Sequence, residues 1–128
     1  MMKLIAASIL IAGLPAAALA AAPQPAPGHA ATAAHGKILL DAKGRALYTY
    51  DKDAPGKSDC TLLCAAAWPP LMVQKGEKAS AGWSVVTRSN GGKQWAYKGA
   101  PLYAYRLDLK AGATTGDGVD GEWHVAKP

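Results

Sequence analysis

The chain has 128 residues, half of them hydrophobic by type, and its 14 basic and 9 acidic side chains give a formal charge of +5. That length suits one small domain with a thin core, thinner than the hydrophobic fraction suggests because alanine is concentrated near the N-terminus. The lysines are scattered singly, which excludes a nucleic-acid footprint and fits solubility with mild attraction to anionic envelope polymers.

Met1-Met2-Lys3, the apolar run from Leu4 to Leu14 and the small-x-small triplet Ala18-Leu19-Ala20 read as a secretory signal peptide over residues 1–20, cleaved after Ala20. The run is short for a bilayer and no second one follows, so the mature chain is expected to carry no transmembrane segment. Its place is then periplasmic or secreted. With Lys3 removed its charge falls to +4. No cysteine lies near the cleavage site, so a lipid-modified N-terminus is not expected. Residues 21–35 are nearly all Ala and Pro, with Pro23, Pro25 and Pro27 on alternate positions, and are expected to be an extended linker with nothing to bury. His29 and His35 are taken as solvated linker residues rather than metal ligands.

Residues 36–128 form the expected domain. Lys37 to Leu40 and Ala46 to Tyr50 read as strands of a hairpin around a turn containing Gly44. Side chains alternate along a strand, so Tyr48 and Tyr50 share one face and Leu47 and Thr49 the other. Asp53 stands where the strand ends, suited to accept backbone N–H groups of the turn at Pro55-Gly56, or alternatively to meet a tyrosine hydroxyl or a ligand. Ser58-Asp59 offers an N-cap for a short helix over about residues 59–67, stopped by Trp68-Pro69-Pro70. Leu71 to Val73 is a brief strand. Trp83 to Arg88 and Lys93 to Tyr97 flank Asn90-Gly91, the strongest hairpin signal in the chain. Leu102 to Tyr105 is a further strand, and Glu122 to Ala126 closes the domain.

Several of these pieces occur twice. An offset of 55 residues takes Lys43, Gly44, Leu47, Tyr48, Tyr50, Asp53 and Trp68 to Lys98, Gly99, Leu102, Tyr103, Tyr105, Asp108 and Trp123. Those seven ungapped identities exceed the roughly two that composition supplies over the same span. The expected fold is therefore mainly β, a small antiparallel domain of two pseudo-repeated hairpin units, with copies at about 37–70 and 93–125 and one short helix.

Cys60 and Cys64, four apart in an exported chain, are expected to form a structural disulfide that pins a local turn. The alternative is a redox or copper site using Cys60, Cys64 and His124, with Met72 as a possible donor. The acidic loop Asp117 to Glu122 lacks the spacing of a calcium loop and reads as a polar turn. All nine aromatics are Trp or Tyr, which suits either glycan platforms or a small core whose rings reach the surface. The chain shows no G-x-S-x-G, nucleophile–base pair, phosphate loop or compact ligand cluster. A hydrolase or transferase would have only Asp53 and Asp108 to work with. The reading is a non-enzymatic module that needs no cofactor.

Leu47-Tyr48-x-Tyr50-x-x-Asp53, Cys60-x-x-x-Cys64 with Trp68-Pro69-Pro70, Gly82-Trp83-Ser84-Val85, Lys93 to Tyr103 and Thr114 to Gly118 running on to Trp123-His124-Val125 together resemble the bacterial secreted-repeat family. That family is also described as predicted lipoproteins with a Y-x-[FWY]-x-x-D motif. The resemblance implies an exported envelope protein of unknown activity, and its motif marks Tyr48, Tyr50, Asp53, Tyr103, Tyr105 and Asp108 without assigning them roles. This chain departs from the lipoprotein members in lacking the lipobox cysteine. With Trp68 and Trp123, the motif residues are the candidate binding face for an envelope glycan or protein partner. That role requires exposed Tyr48 and Tyr103 rings in a shared groove.

Overall fold

A computed structural model describes residues 27–33 and 36–128. The expected signal peptide, residues 21–26 of the expected linker, Ala34 and His35 lie outside the described residues. Strands β1 (Gly28–Ala33), β2 (Gly36–Asp41) and β3 (Tyr48–Tyr50) precede helix α1 (Leu63–Ala67). Strands β4 (Trp83–Thr87), β5 (Lys93–Tyr97) and β6 (Ala100–Pro101) follow, then a short 3-10 turn at Val119–Gly121 and β7 (Trp123–Val125). The fold is mainly β, and every ladder is antiparallel: β1 with β2, β3 with β7, and β4 with β5 and β6.

The linker expectation fails at its C-terminal end. Pro27 is the last of the alternating prolines, and each residue from Gly28 to Ala33 can donate a backbone N–H to a ladder. Residues 28–33 therefore pair with β2, from Gly28↔Asp41 to Ala33↔Gly36. Gly28 is required by close approach, because a Cβ there would lie 2.6 Å from the Leu40 carbonyl oxygen and 2.9 Å from the Trp83 ring. The offset of 55 residues carries β1 onto β4, and β2 matches β5 with one residue more in the second turn, where Gly91 (φ 85) has the left-handed conformation that Gly36 (φ 90) has in the first. The first repeat thus begins with β1, earlier than expected.

Each repeat completes the other's sheet. In the first half, Leu39 N–H donates to Ala126 O at 2.9 Å and Ala126 N–H to Leu47 O at 2.8 Å. In the second, Trp95 N–H donates to Leu71 O at 2.8 Å and Leu71 N–H to Leu102 O at 2.9 Å. The offset of 55 residues relates Leu47 to Leu102 and Leu71 to Ala126, and Trp95 stands one residue further along than that offset takes Leu39, so the same pattern of bonds is made twice with the repeats exchanged. At the centre Tyr48 and Tyr103 exchange both backbone bonds, N–H to O at 2.8 and 3.0 Å. That pairing sits where a pseudo-twofold axis must pass.

The second copy keeps less ladder than expected over Leu102 to Tyr105. Tyr103 bridges only Tyr48 and Pro70, and Ala104 N–H donates to Pro69 O at 2.8 Å. Pro69 and Pro70 have no N–H to return, whereas His124 and Val125 at the equivalent positions do, and only β3–β7 becomes a regular ladder. The hairpin expected from residues 37–50 is likewise partial. Leu40 bridges Ala46 and Leu47 N–H donates to Leu39 O at 3.0 Å, but β3 then runs along β7.

The helix is shorter than expected and has no side-chain cap. Ser58 and Asp59 do not cap it because Ser58 bonds the Tyr103 hydroxyl and the Asp59 N–H is taken by Asp53. Leu62, at φ 53, stands outside the helix, which spans only Leu63–Ala67. Alternation in β2 and β3 divides the core in two: Ile38, Tyr48, Trp68, Tyr103, Trp123 and Val125 on one side, and Leu39, Leu47, Leu102 and Ala126 on the other. Leu47 and Leu102 are fully buried, worth about 1.5–3 kcal/mol each by transfer from water.

Because the strands are exchanged, half the molecule lacks its partners. A fragment covering residues 27–76 is expected to be unfolded as a monomer by circular dichroism and amide dispersion, and mixing it with residues 77–128 is expected to restore both signals. A folded monomeric fragment would contradict the exchange.

Candidate functional site

The repeated motif lies in the core, not on an open face. Tyr48 and Tyr103 are both 0% exposed, so the shared groove expected at their rings does not exist. Their hydroxyls cross between repeats. Tyr48 OH donates to Asp108 Oδ2 at 2.5 Å and Tyr103 OH donates to Asp53 Oδ2 at 2.7 Å. Each carboxylate uses its other oxygen on the loop after its own strand. Asp53 Oδ1 accepts Asp59 N–H at 2.7 Å, and Asp108 Oδ1 accepts the Thr115 N–H at 2.9 Å and its hydroxyl at 2.5 Å. Both readings of these aspartates hold at once, one oxygen serving the turn and the other a tyrosine. Neither stands free as an acid or base for a substrate.

The second tyrosine of each motif belongs to a four-ring stack. Tyr50 lies on Trp123 at 4.2 Å between centroids, Trp123 on Trp68 at 3.8 Å, and Trp68 on Tyr105 at 4.1 Å, with interplanar angles of 12°, 1° and 22°. Tyr48 and Tyr103 meet Trp68 and Trp123 edge-on at 5.3 and 5.2 Å. Stacked and edge-on pairs contribute about 0.5–1.5 kcal/mol each beyond area burial. Gly116 is required beside the stack, since a Cβ there would lie 2.7 Å from the Trp68 ring and 2.9 Å from Tyr105.

Arg88, Gln94 and Thr115, which sequence reasoning did not single out, and Ser58, which it read only as a helix cap, complete the polar interior. Arg88 is 7% exposed and donates to Ser58 Oγ at 3.0 Å, Gln94 Oε1 at 2.7 Å and Cys60 O at 2.5 Å. Since Tyr103 donates to Asp53, the Ser58 hydroxyl donates to Tyr103, and a chain of hydrogen bonds runs from Arg88 through two hydroxyls to Asp53. The one available signal was parity: Arg88 shares the inward face of its strand with Val86. Burial raises the Asp53 carboxyl above the usual carboxylate range, opposed by the Asp59 N–H and the Tyr103 hydroxyl.

Cys60 and Cys64 form a disulfide, with Cys60 fully buried and its carbonyl on Arg88. His124 stands on the outer side of β7 with Nε2 2.9 Å from Asp51 Oδ2, and its strand neighbours Trp123 and Val125 point inward. The structure does not bring the cysteines and His124 together as a metal site: among the described residues no group of three or more His, Cys, Asp or Glu side chains is placed to hold a metal ion. The loop from Asp117 serves the fold, since Asp117 Oδ1 accepts Val125 N–H at 3.0 Å.

Outside the core the pseudo-symmetry leaves two related clefts. One, of about 320 Å³, lies between the turn at Lys43 and Pro69 to Met72, with Ala104 from the other repeat. The other, of about 390 Å³, lies between the turn at Lys98 and His124 to Lys127, with Thr49 from the other repeat. The offset of 55 residues relates Lys43 to Lys98, Pro69–Met72 to His124–Lys127 and Thr49 to Ala104, while Asp41 and Glu77 of the first cleft have no counterpart in the second. A third hollow of about 150 Å³ is bordered by Tyr50, Asp53, Pro55 and Lys98.

Burial is the first cause that raises both the Tyr48 and the Tyr103 hydroxyl well above the ordinary phenol range, and the facing carboxylates add to it. The unfolded phenols ionise near pH 10 while the folded ones keep their protons. Stability is therefore complete below about pH 10 and is lost above it, by about 2.7 kcal/mol per pH unit for two such groups. Tyrosinate absorbance at 295 nm is expected to rise for these two rings only as near-ultraviolet circular dichroism collapses. Full titration of all five tyrosines with the fold intact would contradict the buried pairs.

A family described as a secreted repeat of unknown function matches the chain twice, over residues 29–72 and 84–127. Searches of curated proteins and of solved structures found no match. Among the described residues no helix is long and apolar enough to cross a membrane. The two matched segments coincide with the two halves that exchange strands and tyrosine–aspartate bonds, and the chain belongs to this family of secreted repeats.

Proposed function

We propose that the chain is a non-enzymatic module of the cell envelope, exported to the periplasm through a signal peptide at residues 1–20, whose motif builds the scaffold while its clefts meet an envelope glycan or protein partner. The observation that carries this reading is the internal use of the motif: both tyrosine hydroxyls and both aspartates are bonded to each other and to the loops around them. A catalytic carboxylate needs an oxygen aimed at substrate, and a nucleophile needs a base beside it. In this core those groups hold two repeats together. The Cys60–Cys64 bridge closes a small loop beside the buried Arg88, the position of a staple rather than an exchanging pair.

Expression of the full chain with its N-terminus, followed by fractionation and mass spectrometry, tests this. The expected product begins at Ala21, is recovered from the periplasm, shows no free thiol when denatured without reductant, and on reduction loses about 2 kcal/mol of stability without unfolding. Retention of copper through purification, or a disulfide in ready exchange with a glutathione buffer, would instead favour a redox or copper protein using Cys60 and Cys64.

A further inference from the structure

The two related clefts occupy equivalent places in the repeats and differ in charge and in the turn at their rim. The first sets Asp41 and Glu77 against Lys43 and Arg45, and Arg45 Nε lies 3.5 Å from Asp41 Oδ2, so it is largely self-neutralised above a floor that includes Pro70 and Met72. The second has no carboxylate in its lining. Lys98, Lys127 and His124 stand around a floor of Leu102 and Ala126, with the Thr49 side chain paired opposite His124 across the β3–β7 ladder. Asp51 fixes the His124 ring from the turn just past β3, while neither Lys98 nor Lys127 is within ion-pair distance of a carboxylate among the described residues. Met72 of the first cleft is replaced by Lys127 in the second, and Pro69 by His124.

Lys98 occupies a costly position. Its φ of 49 is in the left-handed region, followed by Gly99 at φ 83, a turn in which Asn or Gly would normally stand first. A lysine there costs about 1–2 kcal/mol. Its equivalent Lys43 is not among the residues of positive φ. The turn is held by Lys98 N–H donating to Gly82 O at 2.7 Å, and the Lys98 ammonium lies 5.3 Å from the centre of the Tyr97 ring. Strain retained at the rim of a cleft is an observation from which a binding role can be inferred.

Building on the envelope-module reading above, we propose that the Lys98–His124–Lys127 cleft binds an acidic sugar, its two free ammonium groups holding a carboxylate or phosphate oxyanion while the sugar ring lies against Tyr97 and Thr49. The cleft's volume of about 390 Å³ falls within the range of small-ligand sites. The oxyanion is the shared chemistry, and a uronate or a sugar phosphate supplies it. The chain's net positive charge favours approach of such a polymer.

The test is an amide chemical-shift titration of the isotope-labelled chain with glucuronate and with glucose 1-phosphate, using glucose and inorganic phosphate as controls. At low ionic strength at least one acidic sugar is expected to give saturable shifts at residues 97–100 and 124–127, with a dissociation constant on the order of 1 mM. The double variant Lys98→Gln, Lys127→Gln is expected to weaken this at least about tenfold with thermal unfolding unchanged, since both side chains are exposed, and Lys43→Gln in the sister cleft to leave it unchanged. Which acidic sugar saturates identifies the anion. Equal shifts with glucose, equal binding of inorganic phosphate, or undiminished binding by the double variant would each overturn the proposal. Saturable shifts at the Pro69 to Met72 cleft alone would overturn it yet leave the envelope-module reading standing.

Discussion

The structure depends on an exchange of tyrosine–aspartate hydrogen bonds between two copies of one motif. Tyr48 reaches Asp108 and Tyr103 reaches Asp53, on either side of the point where the two tyrosines also share their backbone bonds. A buried hydroxyl bonded to a carboxylate contributes about 1.5–3 kcal/mol, and leaving either partner alone costs a comparable amount. Neither repeat can satisfy its own tyrosine. The polar requirement of each half is met only when the other is in place, which ties folding of the two halves into one event.

The spacing of the motif follows from that arrangement. In Tyr-x-Tyr-x-x-Asp the first ring points into the core and sends its hydroxyl across the axis. The second, two residues on, lies on a tryptophan, from which the stack runs Tyr50, Trp123, Trp68, Tyr105. Three further residues place the aspartate past the strand end, where one oxygen closes the next loop and the other receives the partner's hydroxyl. The residue between the tyrosines lines a cleft in each copy, half-buried as Thr49 and buried as Ala104, and this is where the copies diverge. Thr49 lies opposite His124 on a free ladder, whereas Ala104 lies beside Pro69. The axis therefore preserves the core and leaves the two clefts free to acquire different chemistry.

Much of this was legible in the sequence. The offset from Tyr48 to Tyr103 pointed to a duplicated antiparallel β domain, Asn90-Gly91 marked the β4–β5 turn, and the cysteine spacing fitted a local disulfide. Two kinds of feature were hidden. Pairing across the axis has no signal in a single chain, because alternation says which side Tyr48 faces but not whose aspartate it meets. Alanine-rich β1 carries neither alternation nor β-branched residues beyond Thr32, and only Gly36, equivalent to Gly91, betrayed a hairpin there. The aromatic rings suggested a platform because Tyr and Trp carry polar tips, and burial of those tips against each repeat's carboxylates is a tertiary fact. Arg88 escaped for the same reason, its partners being a hydroxyl, an amide and a carbonyl far along the chain.

The most direct test of the account is a pair of double-mutant cycles on unfolding free energy, one joining Tyr48→Phe with Asp108→Asn and the other joining Tyr48→Phe with Asp53→Asn. The exchange predicts a coupling of about 1–3 kcal/mol between Tyr48 and Asp108 and additivity within about 0.5 kcal/mol between Tyr48 and Asp53. Coupling of Tyr48 to the aspartate of its own repeat, with none to Asp108, would contradict it.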